Sequence, residues 1–186
     1  YPKTMATSEK KTIVIKVGTN VITTDKGLLD KESLQGIVDQ ISALKQQGAN
    51  VILVSSGAMA AGRAMVTPSS SEGVVERQVL AAVGQTSLMN QYLAAFKKND
   101  YLCAQVMTTK EDFRTRQHYL NMKNCFAALL TDNVVPIVNE NDVVSVAELM
   151  FTDNDELAGL ITSMVDADAL IFLTSVDGVC DLDGNV

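Results

Sequence analysis

The chain has one histidine and three cysteines in 186 residues, and each scarcity excludes a class of chemistry. With His118 alone there is no second imidazole to complete a histidine metal site. A serine hydrolase is disfavoured too, because no G-x-S-x-G elbow accompanies that histidine. His118 reads instead as a helix-surface or packing residue. Cys103, Cys125 and Cys180 are odd in number and lack C-x-x-C spacing, so they read as buried free thiols of a protein of the reducing cytoplasm. Basic charge is scarce as well: the net charge of −7 gives no support to a nucleic-acid or membrane partner. No apolar run is long enough to span a bilayer. Residues 1–10, YPKTMATSEK, lack the apolar centre of a signal peptide and read as a flexible lead-in to one domain over 11–186. Neither G-x-x-x-x-G-K-[ST] nor G-x-G-x-x-G occurs, which removes a P-loop and weakens a dinucleotide site.

Apolar residues, by contrast, make up 47% of the chain, enough for one real core. Short apolar runs alternate with helical periodicity. Strands are predicted at Thr12–Val17, Asn50–Val54, Tyr101–Met107, Val134–Val138 and Asp168–Thr174, although Pro136 is awkward in a central strand. Between the first two, Asp30 is placed as an N-cap, Leu34, Ile37, Val38, Ile41 and Leu44 recur at helical spacing, and Gly48 ends the helix. Helices are also expected over Val74–Lys98, over Arg116–Thr131 and after TDND; Thr67–Gly73 reads as a surface loop. This β-α alternation predicts an α/β fold, a three-layer α/β/α sandwich on a mainly parallel sheet. Ligands in such sheets bind outside the carboxyl ends of the strands.

Five segments fall at or near those ends: KVGTN at 16–20, SSGAMAAGR at 55–63, LAAVGQ at 80–85, NEND at 139–142 and TDND at 152–155. Each is expected where a strand or loop meets the next helix. Lys16, followed by Gly18 and Thr19, suits the oxygens of a transferring phosphoryl group, or else is a strand-end lysine reaching water. The small residues Ser56, Gly57 and Ala58 let backbone N–H groups approach an anion, while Ala60, Ala61 and Gly62 are equally suited to tight helix packing. NEND crowds two carboxylates and two amides, which repel unless met by a cation or donors; a plain turn is the bland alternative. Asp142 suits the amine of an amino-acid substrate and Asn139 its carboxylate. Asp153 suits a helix N-cap, with Asn154 and Asp155 in the first turn and Asp155 placed to orient Lys16. A carboxylate acceptor is already ionised above pH ~5, so no histidine base is required.

In this order and spacing the five segments resemble the glutamate kinases of the amino acid kinase family, over about residues 12–186. The resemblance implies ATP-dependent phosphorylation of the glutamate γ-carboxylate to γ-glutamyl phosphate, the first step of proline synthesis, with Mg²⁺ as a companion ion. It implies catalytic roles for Lys16 and Asp155 and glutamate contacts from Ser56, Gly57, Ala58, Asn139, Asp142 and Asn154. Phosphate or nucleotide contacts would come from Gly18, Thr19 and Thr174; no residue is assigned to a metal. It further implies a homo-oligomer and feedback inhibition by L-proline. Ser175 stands where the family often has an acidic residue. The family's later glycine-rich segment, with a second catalytic lysine, is not reached by Val186, so the chain is expected to be the substrate-binding half of a longer domain. Neighbouring readings are an acetylglutamate or aspartate kinase, or an inactive glutamate- or proline-binding module.

Overall fold

A computed structural model describes residues 10–69, 73–144, 153–175 and 178. Five parallel strands form one sheet in the order β3-β4-β2-β1-β5. They are β1 (Thr12–Val17), β2 (Asn50–Ser55), β3 (Cys103–Thr108), β4 (Val135–Glu140) and β5 (Ala169–Leu173). The helices are α1 (Lys31–Gln46), α2 (Ala58–Arg63), α3 (Val74–Lys98), α4 (Lys110–Arg114), α5 (Arg116–Thr131) and α6 (Asn154–Val165), with a 3-10 turn at Thr19–Val21. The predicted strands and long helices are all present, within a residue or two at their ends. The short helices α2 and α4 were not anticipated from the sequence.

Because side chains alternate across a strand, the sheet divides the core into two layers. Ile15, Val17, Leu53 and Ile137 pack with α1 and α3, through Leu34, Ile41, Leu88, Tyr92 and Phe96. Val14, Ile52, Val54 and Val138 pack on the other face with Phe126 of α5 and Leu157, Ile161 and Met164 of α6. This is the expected sandwich. The same alternation places the polar strand ends: Lys16 shares the α6 face with Val14, whereas Ser55 shares the α3 face with Leu53.

Local signals behave as the sequence indicates. Asp30 caps α1 by accepting from Glu32 N and Ser33 N, and Gly48 turns the chain away at φ +91°. Pro136 is tolerated because Val135 N donates to Leu102 O, which turns the proline nitrogen towards β2, and pairing with β2 begins only at Leu53↔Ile137. The cysteines are a partial correction. Cys103 is half-buried, which pushes its thiol up to about 11, but Cys125 is exposed. Helix α5 buries only Phe126, so its neighbour faces solvent. Cys180 lies outside the described residues, as does Thr152 of TDND. Among the described residues no helix is long and apolar enough to cross a membrane.

Candidate active site

At the carboxyl end of β1, Lys16 is mostly buried and makes an ion pair with Asp155 in the first turn of α6. Asp153 fixes that turn as its N-cap, accepting from Asp155 N at 2.8 Å and Glu156 N at 3.2 Å. The cap and the ionic partner expected from TDND are therefore both present, on adjacent sides of one helix terminus.

Asn154, between them, joins three segments. Its Nδ2 is 3.0 Å from Ser55 O, from Ser56 Oγ and from Asn139 Oδ1, so two N–H bonds are shared among three oxygens. Asn139 is itself held, accepting from Glu140 N and donating to Gln85 Oε1 of α3, both at 3.0 Å. This network ties together the ends of β2 and β4, the start of α6 and the middle of α3.

Around it lies an open cleft of ≈ 260 Å³, bordered by Ser56, Gly57, Ala58, Asn139, Asp142 and Asn154. This is just below the usual range for sites that hold drug-sized ligands and suits a smaller molecule. Glu140 and Asp153 add negative charge to the wall. Asp142 is held above the ordinary carboxylate value, first by burial and then by the nearby Glu140 charge, while Arg77 acts in the opposite direction. Arg77 of α3 and Arg63 of α2 supply the cationic side of the cleft. Neither arginine was singled out from the sequence. Each is an exposed helical residue, indistinguishable there from a solvated face.

A second, shallower cleft is bordered by Lys16, Gly18, Thr19, Thr174 and Ser175. Thr19 borders both clefts, so they adjoin there. Gly18 does not offer its N–H to this cleft, because that group donates to Leu173 O at 3.0 Å. Nor does the site require a glycine for room: an added Cβ would stand 3.4 Å from Leu173 O and 3.8 Å from Lys16 Nζ, both ordinary contacts.

LAAVGQ occupies a different kind of position from the one expected. It is not a helix entry but lies inside α3, where the backbones of α2 and α3 touch. A Cβ on Gly84 would fall 1.8 Å from Ala58 O, and one on Gly62 would fall 2.0 Å from Leu80 O. The packing reading of Gly62 is the one the structure favours. Gln85 is then delivered to Asn139 by this crossing.

A three-layer α/β/α sandwich with a polar cleft and an adjoining lysine-bearing cleft beyond its parallel strands places the chain among the α/β proteins whose sheet is covered by helices on both faces. The chain belongs to the amino acid kinase family, whose model matches residues 11–186. It is 58% identical to the glutamate 5-kinase of Chlorobaculum tepidum over 170 residues, covering 91% of this chain and 47% of that protein. To the glutamate 5-kinase of Bacteroides thetaiotaomicron it is 51% identical over 168 residues, covering 90% and 47%. The chain thus spans about half the length of these relatives. The structure of Giardia carbamate kinase matches with a TM-score of 0.64 at 20% identity, covering 95% of this chain and 77% of that one, a likeness of fold.

Proposed function

We propose that the intact protein catalyses the reaction for which its relatives are named, ATP-dependent phosphorylation of L-glutamate at the γ-carboxylate. The observation that carries this reading is the Lys16–Asp155 pair, set beside the junction of a polar cleft and a shallow cleft. In the polar cleft Asp142 accepts from the substrate ammonium, and Ser56, Gly57, Ala58, Asn139 and Asn154 surround its carboxylates. In the shallow cleft Lys16, Thr19 and Thr174 face the phosphates. An acceptor carboxylate oxygen bonds to the terminal phosphorus, the bridging oxygen leaves with ADP, and Lys16 stabilises the charge that develops between them. Asp155 keeps the ammonium aimed at that point. No proton need be removed from the acceptor, which is ionised at neutral pH.

Among the described residues no three His, Cys, Asp or Glu side chains converge as a metal cage. Mg²⁺ fits this donor set as a companion of the nucleotide, taking most of its ligands from phosphate oxygens and water. When bound it supplies charge neutralisation on the phosphates. A place at the start of proline synthesis, a cytoplasmic location, proline sensitivity and a homo-oligomer belong to the same proposal.

The half-buried Asp142 carboxyl favours a free ammonium over an N-acylated one, and so favours glutamate over acetylglutamate. The test supplies the intact protein with ATP, hydroxylamine and one acceptor at a time: L-glutamate, N-acetylglutamate or L-aspartate. Glutamate-dependent hydroxamate is the expected outcome; product with another acceptor alone, or with none, overturns the assignment.

A further inference from the structure

Ser55 ends β2 on the α3 side of the sheet. It is fully buried, and its Oγ lies 2.8 Å from the hydroxyl of Tyr92, itself fully buried in α3. The same Oγ lies 3.0 Å from the carbonyl oxygen of Ser56. A carbonyl only accepts, so the single Ser55 proton points to Ser56 O, and the proton between the two hydroxyls must come from Tyr92. The order is therefore Tyr92 O–H to Ser55 Oγ–H to Ser56 C=O. Burial pushes the Tyr92 phenol up to about 12, so this donor persists at neutral pH.

The neighbouring groups are fixed as well. Ser56 N donates to Val17 O at 3.1 Å, and Ser55 O accepts from Asn154. A trans peptide is planar, with its C=O and N–H on opposite sides. Holding Ser56 C=O towards the buried Ser55 hydroxyl consequently turns the Gly57 N–H the other way. Gly57 sits at φ +99°, where an added Cβ would stand 2.9 Å from Ile22 Cδ1. Both Ser56 and Gly57 border the polar cleft.

We propose that Tyr92, acting through Ser55, is a positioning residue for the acceptor: it sets the Ser56–Gly57 peptide plane and so the groups that face the substrate carboxylate. This rests on the reading of the polar cleft as the acceptor site. The competing account is that two buried hydroxyls merely satisfy each other. Tyr92→Phe separates the two, because it removes the proton donor while keeping the ring in the core.

In the intact protein, Y92F is expected to raise the KM for L-glutamate about five- to tenfold, the effect of one lost neutral hydrogen bond. The KM for ATP should stay within about twofold. S55A should match Y92F, S55T should restore the wild-type KM, and the double variant Y92F/S55A should add nothing further. In the isotopically labelled protein without substrate, Y92F should displace the Gly57 amide resonance and speed its exchange. An unchanged glutamate KM, or a fall in turnover with the Gly57 amide unmoved, overturns the proposal. If the wild-type protein turns over no glutamate, the functional reading has failed by itself. The Gly57 amide then decides the relay alone: displaced supports it, unmoved refutes it.

Discussion

The two adjoining clefts are built on different principles. In the polar cleft, Asn154, Asn139, Gln85 and Ser56 come from four parts of the chain and hold one another, with Asn139 buried and Ser55 beneath them. The lysine-bearing cleft rests on one strand end, one ion pair and the seam between β1 and β5, on a strand whose Ile171 and Phe172 are 40% and 44% exposed. On the proposed reading, the groups assigned to binding are thus wired into the fold, while the lysine assigned to chemistry is not. Substitutions in the polar cleft should couple recognition to stability, and those in the other cleft should change reactivity while leaving the fold almost alone.

Lys16→Ala is the sharpest way to break this contrast. The side chain reaches past the strand to Asp155, and the core layer beneath it is made by other residues. Turnover is expected to fall by about two powers of ten or more, the loss typical of removing a fixed group aimed at transition-state charge. The KM for glutamate should change far less, and the thermal midpoint should move little. Equal losses in turnover and glutamate affinity would show that the two clefts are not separable.

Gly84→Ala attacks the polar cleft from behind. The new Cβ would need to occupy space 1.8 Å from Ala58 O and 2.4 Å from Gly62 N, both backbone atoms. Overpacking on this scale costs about 3 kcal/mol. The expected signs are a lowered thermal midpoint together with a raised glutamate KM, because Ala58 and Gln85 would both shift. A stable variant with wild-type KM would mean that the α2–α3 crossing does not set the cleft.

The parts of this arrangement that were legible in the sequence are those that depend on local chemistry. Alternation along β1 puts Lys16 on the α6 face, and an acidic first turn after Asp153 supplies its partner; strand period and capping rules reach that far. Gln85, Arg63, Arg77 and Tyr92 needed the crossing of two helices that no local pattern reveals. LAAVGQ was misplaced for the same reason. The resemblance put it at a helix entry, yet it falls within the predicted helix Val74–Lys98, where Gly84 keeps helical geometry and serves a backbone contact across space. Gly18 was expected to lie against the phosphates; that its N–H is paired with Leu173 O depends on the neighbouring strand end, which no local pattern shows. Cys125 reads as apolar on a helix, but α5 buries too narrow a stripe to cover it.

Asp142 is the subtlest test of the contrast, because recognition and stability should there move in opposite directions. Burial and the Glu140 charge raise its folded-state pKa above the ordinary value of 3.8, with Arg77 offsetting part of the rise. A carboxyl whose pKa is higher folded than unfolded binds protons more readily in the native state. Its contribution therefore favours folding below the unfolded pKa and is lost as pH rises through the folded one. Once ionised, Asp142 is thus a burden on the fold, which the proposed contact with a substrate ammonium would account for. Asp142→Asn should raise the thermal midpoint at pH 7 slightly, and that gain should shrink as pH falls below the folded pKa. The same substitution should raise the glutamate KM. Midpoints measured from pH 4 to pH 8, beside glutamate titrations, check both signs; a variant less stable at pH 7 than at pH 4, relative to wild type, would mean that Asp142 is a structural residue whose charge the fold needs.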